Sequence, residues 1–244
     1  SQGRAEIMVG RGAFVESFPL FGLDLEDYDT LFAEKLQLLL AVNETGKASW
    51  PGSKHLPMVD NRNVYPRPYQ NQLPIWLAVG GTPQSAARAG SLGLPLALGI
   101  IGGEPARFKP LFDLYRNAAT KAGHNPDQLE TSLNVHGFVA ETSQKARDIY
   151  SGPHNEVMTR LGAERGWPPA TRAQFDAACS PTGSWFVGGP AELTDKILAH
   201  HEIFGFTRIT LQMGVGILDH KSLMNAIEIL GTQVAPEVRK AIGN

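Results

Sequence analysis

Short runs of apolar residues alternate along the chain with longer stretches in which apolar positions recur every three or four residues, the pattern of repeated βα units around a parallel sheet. Five units can be traced. The first run, Glu6-Ile7-Met8-Val9, stops at Gly10-Arg11-Gly12, and the helix of its unit is expected from Asp27 to about Asn43, with Tyr28, Leu31, Phe32, Leu36 and Leu39 on one stripe and Asp24 as cap. The stretch from about Glu44 to Leu73 shows neither period. It interleaves Pro, Asn and Gly with aromatics, and reads as an ordered excursion rather than a linker. The second run, Ile75-Trp76-Leu77-Ala78-Val79, ends at Gly80-Gly81-Thr82-Pro83, where Pro83 suits the first turn of a helix carrying Ala86, Ala87 and Ala89.

The third run covers Leu94 to Ile101 and is closed by Gly102-Gly103. A helix from Ala106 to about Gly123 follows, burying Phe108, Leu111, Phe112 and Tyr115. The fourth run is Ser132 to Ala140. From Glu141 to Ser184 the pattern loosens, with helices expected at Gln144–Tyr150 and near Asn155–Glu164, and this stretch reads as an insertion into a single domain, 1–244. Phe186-Val187-Gly188-Gly189-Pro190 leads into a helix at Ala191–Phe204, the fifth run is Arg208 to Met213, and a last helix spans about His220–Leu230. Five units fit either an open doubly wound sheet or an eight-stranded barrel short of three units, and periodicity leaves both open.

Composition narrows the function classes. The 244 residues are 42% hydrophobic, enough for a sizeable core, and 22 basic against 24 acidic side chains give a net charge of −2. No basic field recommends a nucleic-acid or anionic-membrane partner. No apolar window has the length of a membrane span, and the first residues show no leader-like apolar region. The single cysteine, Cys179, allows no internal disulfide and fits a reducing cytoplasm.

In both architectures ligands bind beyond the carboxyl ends of the strands. Arg11 sits there between two glycines, where a guanidinium fork suits phosphate, the alternative being a surface arginine in a tight turn. Gly80, Gly81, Thr82 and Ser85 combine unobstructed backbone with two hydroxyls at a helix start, which suits an anion but is neither a P-loop nor a dinucleotide fingerprint. The histidines have no metal spacing. His136 shares a strand with Asn134 and is a candidate for catalysis, as is Gln212 in the last strand, against the commoner reading of core polar residues. Nothing marks Cys179 as a nucleophile.

The segments Gly3 to Gly12, Glu16 to Gly22, Tyr28 with Leu31 to Leu36, Val64 to Pro68, Pro74 to Ser85 and Leu211-Gln212-Met213 together resemble the bacterial luciferase-like, flavin-dependent monooxygenases over essentially the whole chain. The resemblance implies a (β/α)₈ barrel of TIM type, here incomplete, with FMN, or in some branches F420, at the carboxyl face of the strands. It implies that Arg11 contacts the flavin phosphate and that Gly80, Gly81, Thr82 and Ser85 complete that site. It makes the stretch at about 141–184 the variable insertion over the mouth. It also implies that Gly3-Arg4 leads into the fourth barrel strand, so that about three units, with part of the ring pocket, lie outside this chain as in a fragment of a longer protein. The expected activity is oxidation of a small organic substrate by reduced FMN and O₂, with flavin supplied by a separate reductase and the chain a homodimer. The alternatives are an F420-dependent dehydrogenase, a flavin-binding protein without turnover, and a phosphate-ester binder on an open sheet.

Overall fold

The computed structural model describes residues 1–12 and 16–243. The chain divides into two compact units, residues 1–78 and 79–244. Strands β1 (Ile7–Val9), β2 (Lys47–Trp50), β3 (Val59–Asn63) and β4 (Ile75–Val79) belong to the first unit, apart from the last residue of β4. So do helices α1 (Ser17–Leu20) and α2 (Tyr28–Thr45). β1 and β4 pair in parallel, Ile7 opposite Ile75 and Val9 opposite Leu77, which is the first βα unit expected from the apolar runs. Helix α2 stops at Gly46, whose φ of 68° is the left-handed turn that glycine enters without steric cost. Its Asn43 side chain both donates to the carbonyl of Leu73 and accepts from the Leu73 amide, each at 2.9 Å, so one amide group anchors the approach to β4.

The 44–73 excursion holds a regular element that its composition concealed. β2 and β3 form an antiparallel hairpin, Lys47 opposite Asn63 and Trp50 opposite Val59. Most of its residues are exposed or half-buried, so no apolar run announces it.

The second unit contains α3 (Pro83–Ser91), β5 (Leu96–Ile100), α4 (Lys109–Lys121), β6 (Thr131–Val139), α5 (Ser143–Ala163) and α6 (Arg172–Ala178). It continues with β7 (Phe186–Gly188), α7 (Pro190–Phe204), β8 (Arg208–Gln212), α8 (His220–Ile229) and α9 (Ala235–Ile242). The nine-residue β6 organises it. Along one edge it pairs in parallel with β5, Leu96 opposite Thr131 through Ile100 opposite Val135. Ser132–His136 also pair with Arg208–Gln212 of β8, and Gly137–Val139 with Phe186–Gly188 of β7. A Cβ on Gly137 would lie 2.7 Å from Leu211 and 3.0 Å from the Phe186 carbonyl, so the change of partner along β6 requires glycine there.

Helices α3 and α4 meet through small residues. Ala86, Ala89 and Gly90 are buried on α3, against Phe112, Tyr115 and Ala119 of α4, and the Tyr115 hydroxyl donates to the Leu94 carbonyl at 2.9 Å.

The α/β class and the parallel pairing agree with the sequence reading. Three details do not. Six strands among the described residues have parallel partners rather than five, because Phe186–Gly188 offers only two apolar residues before its glycine and reads as the approach to the helix that follows. The two helices expected in 141–184 are one, α5, which runs through Pro153; Tyr150 and His154, buried on either side of the proline, hold it together where local propensity would break it. Helix α6, closed by a capping box between Thr171 and Gln174, was not expected.

Candidate functional site

In the first unit, β1 delivers Arg11 to the wall of an apolar pocket of about 270 Å³ that is shared with Phe18, Tyr28, Leu31 and Lys35. The guanidinium is fixed twice: it pairs with the Asp29 carboxylate of α2 and lies 4.9 Å from the centre of the Tyr28 ring. At 20% exposure its side chain is a held cation rather than a surface arginine in a turn. The Tyr28 hydroxyl donates to the carbonyl of Gly12, tying the turn after β1 to the start of α2.

In the second unit, Gly80 and Gly81 leave β4, and Thr82 occupies the N-cap of α3 with Pro83 in the first turn. Gly81 has φ +126°, a conformation that side chains resist, and a Cβ on Gly80 would meet nothing within 4 Å, so one side of the loop is open. The Thr82 carbonyl accepts from the amides of Ser85 and Ala86, and Ser85 is buried against the first turn. The loop therefore presents an unobstructed backbone at the positive end of a helix dipole.

The insertion carries a buried aromatic and imidazole cluster. His136 Nδ1 lies 2.9 Å from His154 Nε2, and the His154 ring packs edge-on to Trp185 at 4.2 Å and to Phe175 at 5.6 Å. Desolvation pushes both imidazoles down to about 4, with the neighbouring His136 acting further on His154, so at neutral pH the pair is uncharged. Trp185 Nε1 donates to the Ile101 carbonyl at 3.0 Å, so the end of β5 is tied to the approach to β7. Beside the cluster opens a cavity of about 700 Å³, lined by Gly102 and Gly103 after β5, by Trp185 and by residues of the insertion, among them Asn155 and Trp167. Beneath it, Lys196 of α7 is 4% exposed and donates to the carbonyls of Ser180 at 2.6 Å, Trp185 at 2.7 Å and Cys179 at 3.3 Å.

The family model described as luciferase-like monooxygenase matches residues 1–207. The chain belongs to this family. The alkanal monooxygenase alpha chain of Aliivibrio fischeri is 29% identical to the luciferase-like chain over 153 residues, which are 61% of it and 41% of that relative's length. The chain thus spans less than half of the curated relative. Among solved structures, monooxygenase RslO1 of Streptomyces bottropensis superposes with a TM-score of 0.80 at 24% identity, covering 96% of this chain and 69% of that one. The oxygenating constituent of 3,6-diketocamphane monooxygenase of Pseudomonas putida, in complex with FMN, gives 0.72 at 19% identity, covering 97% and 72%. The F420-dependent tetrahydromethanopterin reductase of Methanopyrus kandleri gives 0.64 at 17%, covering 97% and 75%. These structural likenesses are likenesses of fold.

For this luciferase-like chain, Arg11 lies in the first unit, and Gly80, Gly81, Thr82 and Ser85 lie together in the second. His136 and Gln212 are opposite each other on β6 and β8, but His136 is buried against His154 whereas Gln212 is exposed, with its carbonyl accepting from the Tyr150 hydroxyl at 3.0 Å. His154 was missed among scattered histidines. The signal was present: Ala146, Tyr150 and His154 recur at four-residue steps and form the buried stripe of α5. Among the described residues no cluster of three or more His, Cys, Asp or Glu could hold a metal, and no helix is long and apolar enough to cross a membrane.

Proposed function

We propose that the chain is the later part of a (β/α)₈ flavin-dependent monooxygenase domain that takes reduced FMN and O₂ and oxidises a small organic substrate, with residues 141–184 as its substrate-facing insertion. The observation that carries this reading is the family match over residues 1–207, which includes both the Arg11 turn and the Gly80–Ser85 loop. The residues suit the cofactor's phosphate. In the first unit Arg11 offers a guanidinium already oriented by Asp29 and Tyr28; in the second, taken by itself, the open face at Gly80 leaves the loop backbone room for an anion's oxygens, while Ser85 is buried against the first turn. FMN, when bound, supplies the redox chemistry with O₂. The chain's part is to hold the phosphate and to give an apolar substrate a place away from water, for which the Trp167 and Trp185 wall is suited.

The test is a titration of the chain with FMN, and in parallel with F420, followed by flavin fluorescence, with the oligomer mass recorded on the same sample. Arg11→Ala is expected to weaken FMN binding by about 1.5–3 kcal/mol, the scale of a charge-assisted contact. An unchanged dissociation constant would remove Arg11 from the site. The F420 arm is included because the fold is shared with an F420-dependent reductase, and tighter F420 binding would redirect the reading to hydride transfer without oxygen. The mass reports on the proposed homodimer. Substrate loss on mixing with a flavin reductase separates a monooxygenase from a flavin carrier.

A further inference from the structure

The cavity beside the imidazole pair lies wholly in the second unit and carries one charge on its wall. At about 700 Å³ it has the size of pockets that enclose small organic ligands, and Met158, Trp167 and Trp185 give it thioether and indole surface. Glu104, which follows Gly102-Gly103, is the one ionisable side chain among its described lining residues. Its carboxylate caps no helix turn. Among the described residues its ion partner is Arg107, at 4.0 Å, with the Glu104 side chain 60% and the Arg107 side chain 81% exposed. A pair that long and that wet contributes next to nothing and parts freely.

Several neutral acceptors on the same wall are already in use. Gln174 Oε1 accepts from the amide of Thr171 at 3.0 Å and from its hydroxyl at 3.1 Å, and the carbonyls of Ser180 and Trp185 accept from Lys196. Glu104 is therefore the strongest acceptor left to a ligand. The indoles add to its pull, because the face of an aromatic ring attracts positive charge. Trp185 is fixed by the bond from its Nε1 to the Ile101 carbonyl and by Phe175, whose ring centre lies 5.2 Å away. Trp167 already draws a cation: the Arg165 guanidinium, which donates to the Leu161 carbonyl and is not among the lining residues, lies 5.8 Å from its ring centre. One carboxylate and two indoles around one space, with no lysine, arginine or histidine among the described lining residues, favour a cation and disfavour an anion.

We propose that this cavity takes an organic ammonium with an apolar or aromatic body: Glu104 is the specificity-determining residue that meets the charge, and Trp167 and Trp185 are the walls that receive the body. This rests on the monooxygenase reading only in taking the cavity for the substrate's place. No proton or covalent bond is exchanged on binding.

The experiment uses the whole chain and three probes: benzyltrimethylammonium, its neutral isostere neopentylbenzene, and the anion phenylacetate. Binding is read by tryptophan quenching. The ammonium is expected to bind at least about tenfold more tightly than neopentylbenzene, with phenylacetate the weakest of the three, and its lead should shrink as salt is added. Glu104→Gln keeps the shape and removes the charge, and should reduce the lead to about threefold or less, the part that the indoles supply. Glu104→Lys should reverse the order and bring phenylacetate ahead of the ammonium. Both substitutions fall on an exposed side chain without a capping bond, so the fold is kept. Equal binding of the ammonium and neopentylbenzene, a lead that survives Glu104→Gln undiminished, or no binding by any probe overturns the proposal. FMN titrated into the same samples separates the two readings. Ammonium preference without FMN binding sinks the flavin assignment and leaves Glu104 standing, whereas FMN binding without ammonium preference does the reverse.

Discussion

Lys196→Met tests how a buried ammonium is tolerated. Desolvation brings Lys196 from 10.5 down to about 8, against the attraction of Cys179 and Glu192. In a group 4% exposed, at about 1.4 kcal/mol per pH unit, that fall amounts to about 3 kcal/mol disfavouring the charged form in the folded state. Below pH 8 the lysine is charged in folded and unfolded chains alike and the cost is fully present. As pH rises through 8 the folded form releases its proton first, while the unfolded chain keeps its own up to about 10.5, so stability increases across this window. The methionine variant has no such proton. It also leaves the carbonyls of Cys179, Ser180 and Trp185 without their donor, a loss of roughly 3–6 kcal/mol gross for charge-assisted bonds, of which the relieved desolvation returns about 3. The variant is therefore expected to be less stable by up to about 3 kcal/mol at pH 7, and the gap between the proteins should widen by about 3 kcal/mol more by pH 11. The assay is urea unfolding followed by circular dichroism from pH 7 to 11. Burial pushes the Cys179 thiol up to about 12, which lowers stability above the unfolded thiol's range and opposes the lysine, so both proteins should carry Cys179→Ala. A gap that stays constant with pH would refute the reasoning, because it would mean that the folded lysine titrates as it does in the unfolded chain.

The histidine pair acts at the other end of the pH scale. His136 and His154 resist protonation down to about 4 while unfolded imidazoles take up protons near 6.5, so stability present above 6.5 should decline by roughly 3 kcal/mol or more as pH falls to 4. Replacing both by asparagine should flatten the decline in acid titrations followed by tryptophan fluorescence. Gly90→Ala places a Cβ 2.2 Å from the Tyr115 carbonyl and 2.9 Å from the Ala119 amide, both main chain, and should cost about 2–4 kcal/mol by forcing α3 from α4. A melting temperature within a degree or two of the unaltered chain would show that the helices part without penalty.

What the sequence made legible follows from run length. The parallel strands of five residues or more, Ile75–Val79, Leu96–Ile100, Thr131–Val139 and Arg208–Gln212, were all found, the first three because burial on both faces writes an apolar run and the last from Ile209, Leu211 and Met213 in alternation. Phe186–Gly188 was lost because its two apolar residues run straight into Gly188-Gly189-Pro190 and read as a helix approach, and β2 and β3 because a solvated hairpin is polar. The Gly80–Ser85 loop was legible from local chemistry, since backbone freedom and a helix start are properties of neighbouring residues. The imidazole pair was not. His136 and His154 are 18 positions apart, and only the packing of α5 against β6, with Phe138 stacked on Tyr150 at 5.3 Å, makes them partners. Lys196 has the same origin: no spacing rule foretells three carbonyls turned toward one ammonium.

Lys196 donates to main-chain oxygens of residues 179–185 and to none of their side chains, and this separates the shape of that segment from its identity. Thr182, which is exposed and faces the cavity, can be exchanged without loosening the hold, whereas the buried Ser184 tolerates only small side chains. Gly183 cannot be exchanged, since a Cβ there would lie 2.1 Å from the Ala178 carbonyl. The loop is a fixed frame with a replaceable furnishing, so libraries randomised at 182 should change what the cavity accepts while the fold beneath it stays the same.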